Sequence, residues 1–104
     1  MTDSRFVYIW EYRVQPSSEA TFREFYGPDG VWVQLFRRAE GYIGTELYQD
    51  CSQRDRFVTV DQWESEEAFR SFRTRFAAEF EQLDEQCEAL TESETPLGKF
   101  TAGG

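Results

Sequence analysis

Three side chains in the second half of the chain, Asp61, Trp63 and Arg73, are a carboxylate, a large ring and a guanidinium, types that could together do acid–base chemistry on a bound ligand. Proton removal from an acidic ligand group needs a base or hydrogen-bond acceptor, a donor for the resulting anion, and a pocket that excludes water. Asp61 precedes Trp63 by two positions, so an extended strand points both to one side. Asp61 is the candidate base. Arg70 has Glu66 and Glu67 one turn back and Arg75 has Glu79 one turn on, a pattern of solvated surface pairs, whereas Arg73 has no acid at either spacing. Arg73 is therefore the candidate donor to a ligand anion or a strand carboxylate. Each residue also has a plain structural reading: Asp61 as a hairpin cap or arginine partner, Trp63 as core, Arg73 as a stem covering apolar surface.

These residues belong to one stretch, 56–90. Its first part, Arg56 to Trp63, reads as a strand with Phe57, Thr59, Asp61 and Trp63 on one face and Val58, Val60 and Gln62 on the other. Apolar residues on both faces demand cover on both sides. From Ser65 onward Phe69, Phe72, Phe76, Phe80, Leu83, Cys87 and Leu90 recur at steps of three and four, which predicts one long helix with a core-facing stripe. Ser65 is its expected N-cap, with Glu66 and Glu67 in the first turn.

Upstream, residues 6–14 predict a first strand with Phe6, Tyr8, Trp10, Tyr12 and Val14 on one face. That aromatic face either lies under a helix layer, meets a second subunit or lines a cavity. Tyr8, Trp10 and Tyr12, with Phe69 from the helix, are the candidate substrate-binding rings. Glu11 is a further carboxylate on this strand. Pro16, Ser17 and Ser18 mark a helix start, Gly27 to Gly30 interrupt it, Asp29 is a candidate cap for a second piece, and Gly41 ends it. A second strand, 41–50, carries Ile43, Thr45 and Leu47 on one face and Tyr42, Gly44, Glu46 and Tyr48 on the other. A turn at 51–55 joins it to the third strand as a hairpin. A short or edge strand is expected within 88–100.

The order strand, helix, strand, strand, helix, strand is the split βαβ of a ferredoxin-like α+β domain with an antiparallel sheet. At 104 residues the chain makes one domain, 1–104, with 1–4 and 101–104 expected to be disordered. Helices cover one face of such a sheet, and the aromatic faces of strands one and two predict a sheet-to-sheet homodimer. Aromatics form 17% of the chain, more than a minimal core uses, and such a surplus points to a pocket or an interface.

A net charge of −9 argues against nucleic acid or an anionic membrane as partner. With no histidine, and Cys51 and Cys87 far apart, no metal site is expected. The absence of long apolar runs and of a signal-like N-terminus leads to the expectation of a cytoplasmic protein. No nucleophile elbow or phosphate-binding glycine spacing is present.

The segments GYIGTELYQD, RFVTVDQWES leading into EEAFRSFRTRF, and LGKF together resemble the antibiotic biosynthesis monooxygenase-like domains of the dimeric α+β barrel superfamily. The resemblance implies an obligate homodimer. It implies, for the family's enzymes, oxidation of small phenolic or quinol-like aromatics by dioxygen with no metal, flavin or other cofactor. It also implies that a Trp at the place of Trp63 lies at the substrate pocket. Those enzymes use an Asn in the first strand, and a related haem-degrading branch needs a helix His; this chain contains neither residue. A non-catalytic binding or scaffolding dimer, and a cyclase or isomerase of the same superfamily, are the alternative functions.

Overall fold

The computed structural model describes residues 5–102. β1 (Phe6–Arg13) runs through a 3-10 turn at Pro16–Ser18 into α1 (Glu19–Tyr26), and α2 (Val31–Phe36) follows. The hairpin of β2 (Tyr42–Gln49) and β3 (Arg56–Trp63) comes next, then α3 (Glu66–Arg75), α4 (Ala77–Cys87), a 3-10 turn at Glu88–Leu90 and β4 (Ser93–Thr101). The sheet order is β2-β3-β1-β4 with antiparallel neighbours throughout. β3 fills the slot left between β1 and β2, which makes this the expected ferredoxin-like α+β fold.

The helices cover the face that carries Phe6 and Tyr12 of β1, Val14 just beyond its end, and Phe57, Thr59 and Trp63 of β3, all buried. Phe6 meets Phe69 at 5.3 Å between ring centroids, and Tyr12 meets Phe22 at 5.3 Å. The aromatic face of β1 therefore packs under helices. This corrects the expectation that it would form a sheet-to-sheet contact. The opposite, open face carries Val7 and Ile9, which lie across from Gln62 and Val60, with Val58 beside them. Tyr48 and Phe100, each about half exposed, extend it onto the edge strands opposite Val58 and Val7.

In β2 the register shifts between Tyr42 and Gly44. The shift puts Tyr42 on the helix side, at 5.2 Å from Trp63, together with Thr45 opposite Asp61. Strict alternation placed Tyr42 with Glu46 and Tyr48; the bulge adds a residue and separates them.

Ser65 caps α3 as expected, its hydroxyl accepting from the Ala68 amide at 3.1 Å. The long helix does not run unbroken. At Phe76 the backbone leaves helical geometry (φ −111°, ψ 27°) and α4 restarts. A straight helix of that length would reach about 39 Å, past strands of about 26 Å, so the bend returns the stripe to the sheet. Phe72 at 1% exposure, Leu83 and Cys87 are its buried members. Gly30, not Asp29, stands at the start of α2, and Asp29 pairs with Arg37 at 2.8 Å. β4 extends through Thr101, and the Ala102 amide donates to the Arg5 carbonyl at 2.9 Å, so these two residues are ordered by pairing rather than disordered. Residues 1–4 and 103–104 lie outside the described residues.

Gly41 adopts φ +87°, and a Cβ there would stand 2.6 Å from the Ala68 Cβ. Gly44 has open space around it. Gly41→Ala is expected to cost about 1–3 kcal/mol in denaturant melts, whereas Gly44→Ala leaves stability within about 0.5 kcal/mol. Equal effects of the two substitutions would contradict this account.

Candidate functional site

A cavity of about 210 Å³ lies between the helix-facing side of the sheet and the helices. β1 contributes Tyr8, Trp10 and Tyr12, β3 contributes Asp61, and α3 contributes Phe69 and Arg73. Tyr26, Trp32 and Phe36 close one side, and Phe80, Asp84 and Glu94 complete the wall. The residues singled out from the sequence thus converge, with one exception. Trp63, at 0% exposure, stands behind the wall, against Phe36 and Phe69 at 5.7 Å each and Phe72 at 5.1 Å. Its indole Nε1 is buried without a hydrogen-bond partner among the described residues.

Asp61 is held by a short chain of hydroxyls. Thr45 Oγ1 donates to Asp61 Oδ1 at 2.8 Å, so the Tyr42 hydroxyl, 2.7 Å from Thr45 Oγ1, must supply the hydrogen of that second bond. Burial pushes the Asp61 carboxyl up to about 6, and the bond from Thr45 offsets part of the rise. A carboxyl tuned to this range is ionised at neutral pH yet basic enough to accept a phenolic proton. Burial, followed by the nearby Asp61 charge, drives the Tyr12 phenol well above its usual value; its hydroxyl shares a hydrogen bond of 2.9 Å with Thr59 Oγ1.

Arg73 projects from α3 with its guanidinium carbon 3.8 Å from the centroid of the Phe80 ring. It forms no ion pair among the described residues, so its N–H groups are available at the cavity rim. Arg70 makes its surface pair with Glu66 at 2.9 Å as expected. Glu79 instead pairs with Arg38 at 3.6 Å, because the bend at Phe76 takes Arg75 and Glu79 onto different helices. Glu11 lies on the open face, bound to Arg56, and takes no part in the cavity. Glu94 accepts the Tyr26 hydroxyl at 3.1 Å. Burial raises its carboxyl, the Tyr26 bond counters part of this, and the like charge of Asp84 adds to the rise.

Several residues that line the cavity or support its wall escaped the sequence reading. Thr45 was within reach of it: a hairpin turning about Gln53 puts residue 45 opposite 61. Asp84 follows Phe80 by four, one turn along the same helical face. Glu94 sits opposite Tyr12 through the β1–β4 register, for which the sequence offers no signal. Among the described residues no group of His, Cys, Asp and Glu is arranged to hold a metal, and no helix is long and apolar enough to cross a membrane.

The sequence model of the antibiotic biosynthesis monooxygenase family matches residues 5–86. Solved structures share the fold. SnoaB, a cofactor-independent oxygenase from Streptomyces nogalater, is 19% identical with a TM-score of 0.72, over 97% of this chain and 95% of that one. The PA3566 protein of Pseudomonas aeruginosa is 19% identical with a TM-score of 0.71, over 100% of this chain and 99% of that one. Rv0793 of Mycobacterium tuberculosis is 15% identical with a TM-score of 0.67, over 97% and 95%. No curated protein matches the chain.

Because Asp61 holds its proton more tightly folded than unfolded, folding binds protons. Its contribution to stability is full below the ordinary carboxyl value of 3.8 and is lost as pH rises through about 6. Asp61→Asn is expected to gain roughly 1–3 kcal/mol on the wild type at pH 7 relative to pH 4. Urea melts at the two pH values check this; parallel losses at both would show that Asp61 is not destabilised as a buried charge.

Proposed function

Because the chain belongs to the antibiotic biosynthesis monooxygenase family, we propose that its cavity carries out a cofactor-independent oxygenation of a small phenolic or quinol-like aromatic. The observation that supports this best is the convergence of a buried Asp61 carboxyl, raised to about 6, and of Arg73, which forms no ion pair among the described residues, on one ring-lined space. SnoaB, which shares the fold, is a cofactor-independent oxygenase.

In this reading the rings of Tyr8, Trp10 and Phe69, the first in contact with the other two, form one apolar wall on which a flat substrate packs and from which water is excluded. Asp61 takes the phenolic proton, and Arg73 stabilises the electron-rich anion by charge-assisted hydrogen bonds. For a substrate with an activated ring CH₂, that anion forms a carbon–oxygen bond to dioxygen, giving a hydroperoxide once protonated. Loss of water across the C–H and O–O bonds leaves a carbonyl, so one dioxygen supplies the carbonyl oxygen and the oxygen of one water. Trp63 acts as a positioning residue that backs Phe36 and Phe69. Its place behind the wall is also what favours the second reading, a binding dimer without turnover.

The open sheet face supports a homodimer. Val7, Ile9, Val58 and Val60 form an apolar centre flanked by half-exposed Tyr48 and Phe100. A patch of this kind is normally buried by association. Sedimentation at micromolar concentration is expected to give twice the mass of one chain, and Val60→Lys to shift it towards one; a wild-type monomer would remove the dimer from the proposal.

The activity is tested with an oxygen electrode and anthrone and quinol substrates. Uptake is expected in the wild type, with kcat/KM lowered about 10²–10³-fold in Asp61→Asn and about tenfold or more in Arg73→Gln. Saturable ligand binding with no oxygen uptake would replace this reading with the second one.

A further inference from the structure

We propose that the cavity selects aromatic ligands bearing an amine, cationic at neutral pH, over neutral or acidic ones of the same shape. This inference rests on the cavity being the ligand site.

The cavity walls hold three carboxyl groups, Asp61, Asp84 and Glu94, against the guanidinium of Arg73, with the Lys99 ammonium beside them over the Tyr8 ring. Arg73 neutralises none of them, since its guanidinium lies over Phe80 and forms no ion pair among the described residues. At the far end, the donors to Glu94 among the described residues are hydroxyls, Tyr26 at 3.1 Å and Thr91 at 3.5 Å. A second carboxyl, Asp84, lies close enough to raise its proton affinity. A ligand anion placed there meets repulsion; an ammonium relieves it. The surrounding surface is also suited to a cation, because ring faces carry negative potential. Two of the cavity's own rings already hold cations in this way, Phe80 under Arg73 at 3.8 Å and Tyr8 under the Lys99 ammonium at 5.2 Å.

The strand register gives the spacing. Asp61 lies across from Tyr8 and Glu94 across from Tyr12. These rows lie about 13 Å apart along β1 and, because β3 and β4 flank it, the two residues lie about 10 Å apart across the sheet, so the carboxyl groups stand at opposite ends of the cavity. A phenol extended by an arm ending in an amine carries a group for each end, and a cavity of about 210 Å³ accommodates a molecule of that size. The phenol then meets Asp61 and Arg73, while the ammonium meets Glu94 and Asp84.

Three probes of matched shape test the assignment: tyramine, 4-ethylphenol and 3-(4-hydroxyphenyl)propionate, titrated against the full chain by calorimetry at pH 7.5. Tyramine is expected to bind about tenfold or more tightly than 4-ethylphenol, and the propionate more weakly than either. Raising salt from about 0.05 to about 0.5 M should weaken tyramine selectively. In the Asp84→Asn/Glu94→Gln double variant the tyramine-to-ethylphenol ratio should fall to within about threefold; Gln retains an acceptor for Tyr26. The proposal is overturned if wild-type protein binds 4-ethylphenol or the propionate as tightly as tyramine, if the preference survives in the double variant, or if none of the three binds. The oxygenase reading fails separately: tyramine preference without oxygen uptake by any phenol removes turnover and leaves the selectivity standing, while oxidation of phenols without that preference does the reverse.

Discussion

The packing of the Trp63 ring is the contact on which the other elements depend. It projects from β3 and touches Phe36 of α2, Tyr42 of β2, and Phe69 and Phe72 of α3. One side chain thereby ties the hairpin to two of the helices that cover it. Burying an aromatic of this size removes about 150–250 Å² from water, a gain of roughly 4–6 kcal/mol. Its Nε1, without a hydrogen-bond partner among the described residues, costs about 1–3 kcal/mol. Burial wins, which explains how a polar atom is left without a bond in the middle of the core. The same contact sets Phe36 and Phe69, and through them two walls of the cavity.

Asp61 is placed where an apolar residue would stabilise the fold more. Rings stand beside it in the cavity wall, and the direct side-chain donor to its carboxyl among the described residues is Thr45. Thr45 in turn holds Tyr42, whose ring packs on Trp63. The bulge in β2 brings Tyr42 round to this side, so an irregularity of the backbone completes the support of the carboxylate. Without it the tyrosine would face away and Thr45 would have one partner fewer.

Much of this was legible in the residues. Ser65 and the Phe69–Phe72 spacing marked the start of α3, alternation marked β1 and β3, and the order of elements led to the fold. Asp61, Arg73, Tyr8, Trp10, Tyr12 and Phe69 share one cavity because two simple periodicities, two along the strands and about 3.6 along the helix, point them towards each other. What the residues did not reveal depends on non-local geometry. The bend at Phe76 answers the length of the sheet beneath it, and no proline or glycine announces it. The position of Glu94 depends on a register that itself slips between Ile9 and Trp10. Alternation assigns Trp63 the same face as Asp61 but says nothing about which of the two stands in the cavity wall and which behind it.

β1 and β3 are the central strands, and each serves both faces of the sheet. Tyr8 and Asp61, directly opposite one another, line the cavity, while their neighbours Ile9 and Val60 form a pair on the open face. A displacement of either strand therefore moves a site residue and an open-face residue together. In the proposed dimer, burial of Val7, Ile9, Val58 and Val60 would hold these strands from below while Phe69 and Phe72 hold them from above. The carboxylate and the rings would then be fixed by packing on two sides, which is the arrangement that preorganised proton transfer requires. Association and chemistry are on this view coupled through the backbones of two strands, and the coupling needs no residue of one subunit to enter the other's cavity.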